Sequence, residues 1–217
     1  MGQKIHPKGF RVGVVFPWVS RWFGNKQSYK HLLLQDVTLR RALHERLKPA
    51  GLSQVDIERS INKVTVTLYV SRPGVVIGRG GSGLEETKKY IERMLMSTNR
   101  MQEAGKVKVE VAVEPVKEPN LHAYLVGVNI ADQLAKRLPH KRVCNQAVER
   151  VMNAGAKGVK IALAGRINGA EIARREKYTA GTVPLSTIRE DIDFAVVPAL
   201  TKSGYIGIKV WICRKSV

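Results

Sequence analysis

A chain of 217 residues, 44% of them hydrophobic, is long enough for one large or two modest domains with real cores. Its 37 lysines and arginines face only 18 acidic residues, a net charge of +19, which points to a polyanionic partner because cations laid on phosphates release condensed counterions. Two cysteines, Cys144 and Cys213, with no CxxC and no histidines beside them, argue against a zinc site or a disulfide framework, and no apolar run reaches the ~18 residues of a membrane span.

Residues 1–37 read as a basic arm and linker. Gly2, Pro7, Gly9, Gly13, Pro17 and Gly24 break any period. Lys4, His6, Lys8 and Arg11 alternate with Phe10, Phe16, Trp18, Trp22 and Phe23. Cations of this kind meet phosphates, so the four basic residues are expected on RNA. The tryptophans fit two readings equally, stacking on bases or packing on their own domain.

Residues 38–114 form the first expected domain. TLRRALHERLKP, 38–49, predicts a helix with Leu39, Leu43 and Leu47 on one stripe, stopped by Pro49-Ala50-Gly51. Leu52, Val55 and Ile57 mark a strand, and KVTVTLYV a second with Val64, Val66, Leu68 and Val70 on one face, joined through Ser60-Ile61-Asn62. A short apolar turn, Val75-Val76-Ile77, leads to Gly78-Arg79-Gly80-Gly81-Ser82-Gly83. A helix then buries Leu84, Ile91 and Leu95, with Glu85 and Glu86 suiting its dipole. A strand from Lys106 to Val113 ends the domain.

Gly78, Gly80 and Gly83 also spell GxGxxG, the dinucleotide fingerprint. That motif needs a strand running into its first glycine and an acid about 20 residues on. Pro73-Gly74 interrupts the lead-in, and the next strand ends too far away, near Glu114. No Lys-Ser/Thr pair follows, which excludes a P-loop. Two readings remain: a Gly-rich helix cap with no ligand, and the better fit, a GxxG clamp, Gly78-Arg79-Gly80-Gly81, whose glycines let a sugar-phosphate chain approach the backbone while Arg79 adds a cation. Helix-strand-strand-helix-helix-strand around such a loop is the second topological type of KH domain, α-β-β-α-α-β.

Two prolines, Pro115 and Pro119, mark a boundary. Residues 119–217 predict a C-terminal α/β domain, two helices on an antiparallel sheet, so the whole chain is α+β. The first helix is expected to bury Leu121, Leu125, Val128 and Leu138 and to break at Pro139. The second runs through Val143, Ala147, Val151 and Ala154. VKIALAG, INGAEIARREKY, DIDFAVV and YIGIKVWIC are the expected strands. LAKRLPHKR gathers Lys136, Arg137, Lys141 and Arg142 around the helix break, which reads as an electrostatic track for RNA without sequence preference ahead of the alternative, a solvated helix face. On the second strand Arg175 and Lys177 share one face, and Arg166 and Arg174 the other, with Ile172. Some of these meet RNA; others pair with Glu171 or Glu176.

An enzyme finds little support. Asp191 and Asp193 could share a strand face and hold Mg²⁺, but no third carboxylate or base is spaced to help, and GxSxG, HExxH and Cys-His arrangements are lacking. No cofactor is expected.

Across both domains the chain resembles the bacterial-type family of ribosomal protein S-three of the small subunit. MGQKIHPKGFRVG, PWVSRWF, SRPGVVIGRGG, GRINGAEIARREKYTAGTVPLSTIREDIDFA and GIKVWI carry the resemblance in order. It implies a cytoplasmic, ribosomal location on the subunit head, binding to ribosomal RNA, and a place at the opening through which messenger RNA enters. It also implies contact with the neighbouring proteins S-ten and S-fourteen. The family's messenger-unwinding helix matches Pro139 to Val148, with Lys141 and Arg142 as its basic pair. Asn145 stands where a Lys is typical, and the long basic tail of many relatives has no counterpart after the last strand.

Overall fold

The computed structural model describes residues 3–60, 63–98 and 108–215. By internal contacts the chain divides into two units, residues 18–117 and a discontinuous one made of 1–17 with 118–217. The expected arm is thus divided, and the helix expected from residue 38 begins twelve residues earlier.

In the unit of residues 18–117, β1 (Ser20–Arg21) leads to α2 (Lys26–Arg46). Leu39 and Leu43 of α2, with Leu47 after it, are buried as the stripe requires. Gln35 and Asp36 are buried as well. Asp36, with no exposed surface, accepts from Trp22 Nε1 at 2.7 Å and from Arg59 Nε at 2.9 Å. This buried carboxylate lies on the part of the helix upstream of the leucine stripe. It also settles Trp22, which packs against Tyr29 at 5.4 Å between ring centres.

β2 (Leu52–Arg59) and β3 (Lys63–Val70) pair antiparallel, with Ile57 opposite Val66. β4 (Lys108–Pro115) joins β3 in parallel, Val64 opposite Val109, which requires the intervening crossover of α3 (Pro73–Ile77) and α4 (Ser82–Thr98). The sheet order is β1-β2-β3-β4, so β1 adds a short parallel edge to the KH sheet. Val64, Val66, Leu68 and Val70 are all buried, together with Ile91 and Leu95 of α4. Ile61-Asn62 and the expected strand start at Lys106 lie outside the described residues.

The other unit opens with a helical turn, α1 (Pro7–Arg11). α5 (Ala123–Ala135) and α6 (His140–Asn153) pack on a four-stranded antiparallel sheet of order β6-β5-β8-β7. The strands are β5 (Gly158–Gly165), β6 (Arg174–Gly181), β7 (Ile192–Thr201) and β8 (Gly204–Cys213). α6 buries Val143, Cys144, Ala147 and Val151 as expected. α5 does not bury the expected face: Ala123, Val126, Gly127, Ile130, Ala131 and Leu134 point inward, and Leu138 is 45% exposed. Gly127 is part of the reason, since a Cβ there would lie 2.8 Å from Val197 Cγ2. The helix meets β7 through its smallest residue.

The segment 166–177 also needs correction. A single 3₁₀ turn, Ile167–Gly169, follows Arg166, and β6 starts only at Arg174. Asn168 at φ 56° and Gly169 at φ 77° bend the chain out of the strand direction. Arg166 therefore does not share a strand face with Arg174.

Candidate nucleic-acid interface

The GxxG loop is built by backbone more than by side chains. α3 ends at Gly78 (φ 70°, ψ −175°), and a 3₁₀ turn, Arg79–Gly81, delivers the chain into α4. Gly80 and Gly81 take φ 60° and 84°, the left-handed region where a side chain is strained. A Cβ at Gly83 would stand 2.6 Å from the Val76 carbonyl oxygen, so the start of α4 rests directly on the end of α3. At Gly80 and Gly81 nothing lies within 4 Å of a built Cβ. Two glycines of the motif thus hold the turn together, Gly78 and Gly83, while Gly80 and Gly81 leave open space over bare backbone. Gly78, Arg79 and Gly80 are exposed, and exposed Val75 and Ile77 flank them. The site offers main-chain N–H groups, one cation and an apolar rim, the parts a GxxG loop uses on single-stranded nucleic acid.

The second group of cations surrounds the α5–α6 connection. Lys136, Arg137, Lys141 and Arg142 are all exposed, and none makes an ion pair among the described residues. Arg137 takes φ 61° to turn the chain between the helices. Lys141 and Arg142 leave the first turn of α6, while His140 and Val143 point inward. Asn145, one turn beyond Lys141, is exposed too. On the sheet, Arg174 pairs with Glu176 at 3.0 Å, whereas Arg175 is exposed on the opposite face. Arg166 is exposed and donates Nε to the Ala170 carbonyl at 2.9 Å.

The arm is where the sequence reading changes most. Lys4 is exposed. His6 accepts from Gly9 N–H through Nδ1 at 3.2 Å and lies edge-on to Phe194, ring centres 5.0 Å apart. Burial, with Lys8 nearby, lowers its pKa. Lys8 is committed to Asp193 at 2.8 Å. Arg11, expected on RNA, is 0% exposed. Its guanidinium donates to five carbonyl oxygens, those of Pro7, Pro184, Leu185, Thr187 and Glu190, at 2.7–3.4 Å. A side chain so enclosed presents no donor to a phosphate. Arg11 fastens the arm to the loop before β7.

Asp193 belongs to the same junction and not to a metal site. It accepts from Ala123 N–H, the first residue of α5, at 2.8 Å, and pairs with Lys8 and with Arg214 at 3.3 Å. These cations, with the Ala123 N–H, hold its carboxyl below the usual range despite burial. Arg214 also pairs with Asp191 at 3.6 Å. Next to this cluster His122 is pushed down to about 4 by burial and by Arg214. Sequence reasoning missed this network because its members lie far apart in the chain; the only local hint was the Asp-Ile-Asp alternation. Among the described residues no three His, Cys, Asp or Glu side chains group to hold a metal ion.

Comparison with known proteins bears on the same two regions. Residues 38–121 match the KH domain family, and residues 130–212 match the family described as ribosomal protein S3, C-terminal domain. Small ribosomal subunit protein uS3 of Carboxydothermus hydrogenoformans is 44% identical over 217 residues, all of this chain and 93% of that protein. The chain belongs to the uS3 family. The uS3 of Desulforamulus reducens is 45% identical over the whole chain and 94% of its own length, and that of Persephonella marina 46% over 99% of this chain and 90% of its own. Membership makes the protein a structural, RNA-binding component of the small ribosomal subunit and not an enzyme, and it agrees with the expected ribosomal, cytoplasmic location. No helix among the described residues is long and apolar enough to cross a membrane.

Proposed function

We propose that this uS3 protein grips ribosomal RNA and also guides messenger RNA at the opening where it enters the subunit. The observation that carries the messenger role is the placement of Lys141 and Arg142 on the exposed first turn of α6, without an acidic partner among the described residues. Beside Lys136 and Arg137 they make a track of cations that holds an RNA backbone without reading its sequence. Such a track holds strands that the moving ribosome has pulled apart. The chain needs no nucleotide hydrolysis for this. The GxxG loop, Gly78-Arg79-Gly80-Gly81, is the second nucleic-acid contact, made through main-chain N–H groups.

Lys4, His6, Arg166, Arg174 and Arg175 remain as proposed ribosomal RNA contacts, while Lys8 and Arg11 act by fixing the arm. The neighbouring proteins S-ten and S-fourteen are the proposed protein partners. The test replaces Lys141 and Arg142 with Ala in ribosomes that assemble normally. Translation through a messenger hairpin should slow, while an unstructured messenger is read at the ordinary rate. Equal rates on both messengers would sink the messenger role and leave the ribosomal RNA role standing.

A further inference from the structure

A cavity of about 520 Å³ opens between the α5–α6 connection, the turn after β5 and the β7–β8 hairpin. That volume falls within the roughly 300–1,000 Å³ of small-ligand clefts. Its apolar lining comes from Leu134, Leu138, Leu163 and Ile206. Arg137, Arg166 and Lys202 stand on its lining, which includes no carboxylate. Like charges converge here from three separate segments, and Arg137 and Lys202 find no acidic partner among the described residues. Cations brought together over an apolar floor repel one another unless an anion joins them.

The walls are built with some strain. Arg137 and Asn168 are the two non-glycine residues with left-handed φ among the described residues, and both line this cavity. Such backbone persists where surrounding contacts hold it, and it gathers at ligand sites. At Asn168 the hold comes from His140, whose Nδ1 faces Asn168 Oδ1 at 3.1 Å while its Nε2 lies 2.9 Å from Glu176 Oε2. Opposite, a Cβ on Gly169 would come within 3.1 Å of Ser203 Oγ, so the hairpin tip closes on the turn.

From this geometry we infer that the cleft seats one unstacked nucleotide, its phosphate among Arg137, Arg166 and Lys202 and its base against Leu134, Leu138 and Ile206. The inference rests on the RNA-binding role and adds a discrete subsite to it. Its chemistry is that of a nucleoside 5′-phosphate, whether part of an RNA strand or free.

Adenosine monophosphate and inorganic phosphate are the probes, titrated calorimetrically into the full chain. The monophosphate should bind at least about tenfold more tightly than phosphate, because only it covers the apolar floor. Replacing Arg166 and Lys202 together with Ala should weaken it at least about tenfold, Lys202→Arg should not, and Lys30→Ala on α2 should change nothing. Equal binding of the two probes, or an unchanged affinity in the double variant, would overturn the subsite. Assembled subunits separate the sources: exclusion of the monophosphate there means that an RNA nucleotide fills the cleft, and continued binding means a free nucleotide. A chain that sediments with the small subunit yet ignores the monophosphate refutes the subsite alone. A chain that takes it but never joins the subunit refutes the RNA-binding role.

Discussion

Arg11 is the most informative residue to change. Its charge has no surface left in water, and its stabilisation comes from five carbonyl oxygens, four of them more than 170 positions later in the chain and the fifth, that of Pro7, one turn earlier. A hydrogen bond involving a charged group contributes about 1.5–3 kcal/mol, and such bonds made by one side chain do not add. Removing the donor strands several buried carbonyl oxygens at about 1–3 kcal/mol each, so the non-additive total is on the order of 3–5 kcal/mol. Arg11→Met keeps most of the apolar stem and deletes the donors. The cost falls on closing of the arm, so native-state hydrogen exchange is the assay. The amides to follow are those of Phe10, Gly13 and Val15, bonded to His6, Phe16 and Arg11 carbonyls. A loss of about 3–5 kcal/mol raises their opening roughly a hundredfold to several-thousandfold. Arg11→Lys, which keeps charge but loses the planar fork, should fall between. Exchange in Arg11→Met within about fivefold of the parent chain would refute the view that this guanidinium holds the arm.

Other expectations follow from the geometry. Gly83→Ala should destabilise the 18–117 unit by more than about 1 kcal/mol in urea titration, as its Cβ meets the Val76 carbonyl, whereas Gly80→Asp should leave folding within about 1–2 kcal/mol and weaken single-stranded RNA binding in a filter assay. His122 is held neutral, at about 4 folded against 6.5 unfolded, with Arg214 and Lys8 opposing and Asp193 favouring its charge. The unfolded chain therefore binds the extra proton between these values, and stability should fall as pH drops from 6.5 toward 4. Urea midpoints of His122→Asn should lose part of that slope; the same slope in both chains would contradict it. Burial pushes the Cys144 thiol up to about 12 and Cys213 up to about 11, so neither should react with a thiol reagent at pH 8 until the unit unfolds.

Much of the fold was legible where periodicity and punctuation agree. The alternation of Val64, Val66, Leu68 and Val70, the leucine stripe of α2 and the glycines after Ile77 each admit one phase, and the KH order follows from them. α5 was misphased because AYLVGVNIADQLA is apolar nearly all round, leaving periodicity with no unique answer. The buried side was chosen by Ala123, Gly127 and Ala131, small residues selected for close approach and carrying little hydrophobic signal. The upstream part of α2 carried no apolar stripe to read: it buries polar Gln35 and Asp36, and the Asp36 partners Trp22 and Arg59 lie 14 and 23 positions away. In the arm, composition sends every cation outward, and that rule fails at Arg11 because carbonyls at 184–190 replace water as its solvent. Arg166 left its strand at a turn set by Asn168 and Gly169, two residues tolerant of left-handed backbone.

The discontinuous unit has a bearing on biogenesis. Its first seventeen residues emerge from a translating ribosome before any of their partners, and Arg11 waits for Glu190, 179 positions later. The 18–117 unit, with its own core, is complete while the opening segment still trails unpaired. Closure of the arm is then the last folding step, possible only when the loop before β7 and that strand have been made. A nascent chain arrested before residue 184 should hold a finished KH core and a free basic tail, and in that interval a chaperone or an early RNA encounter has access to Lys8 and Arg11 that the finished protein no longer gives.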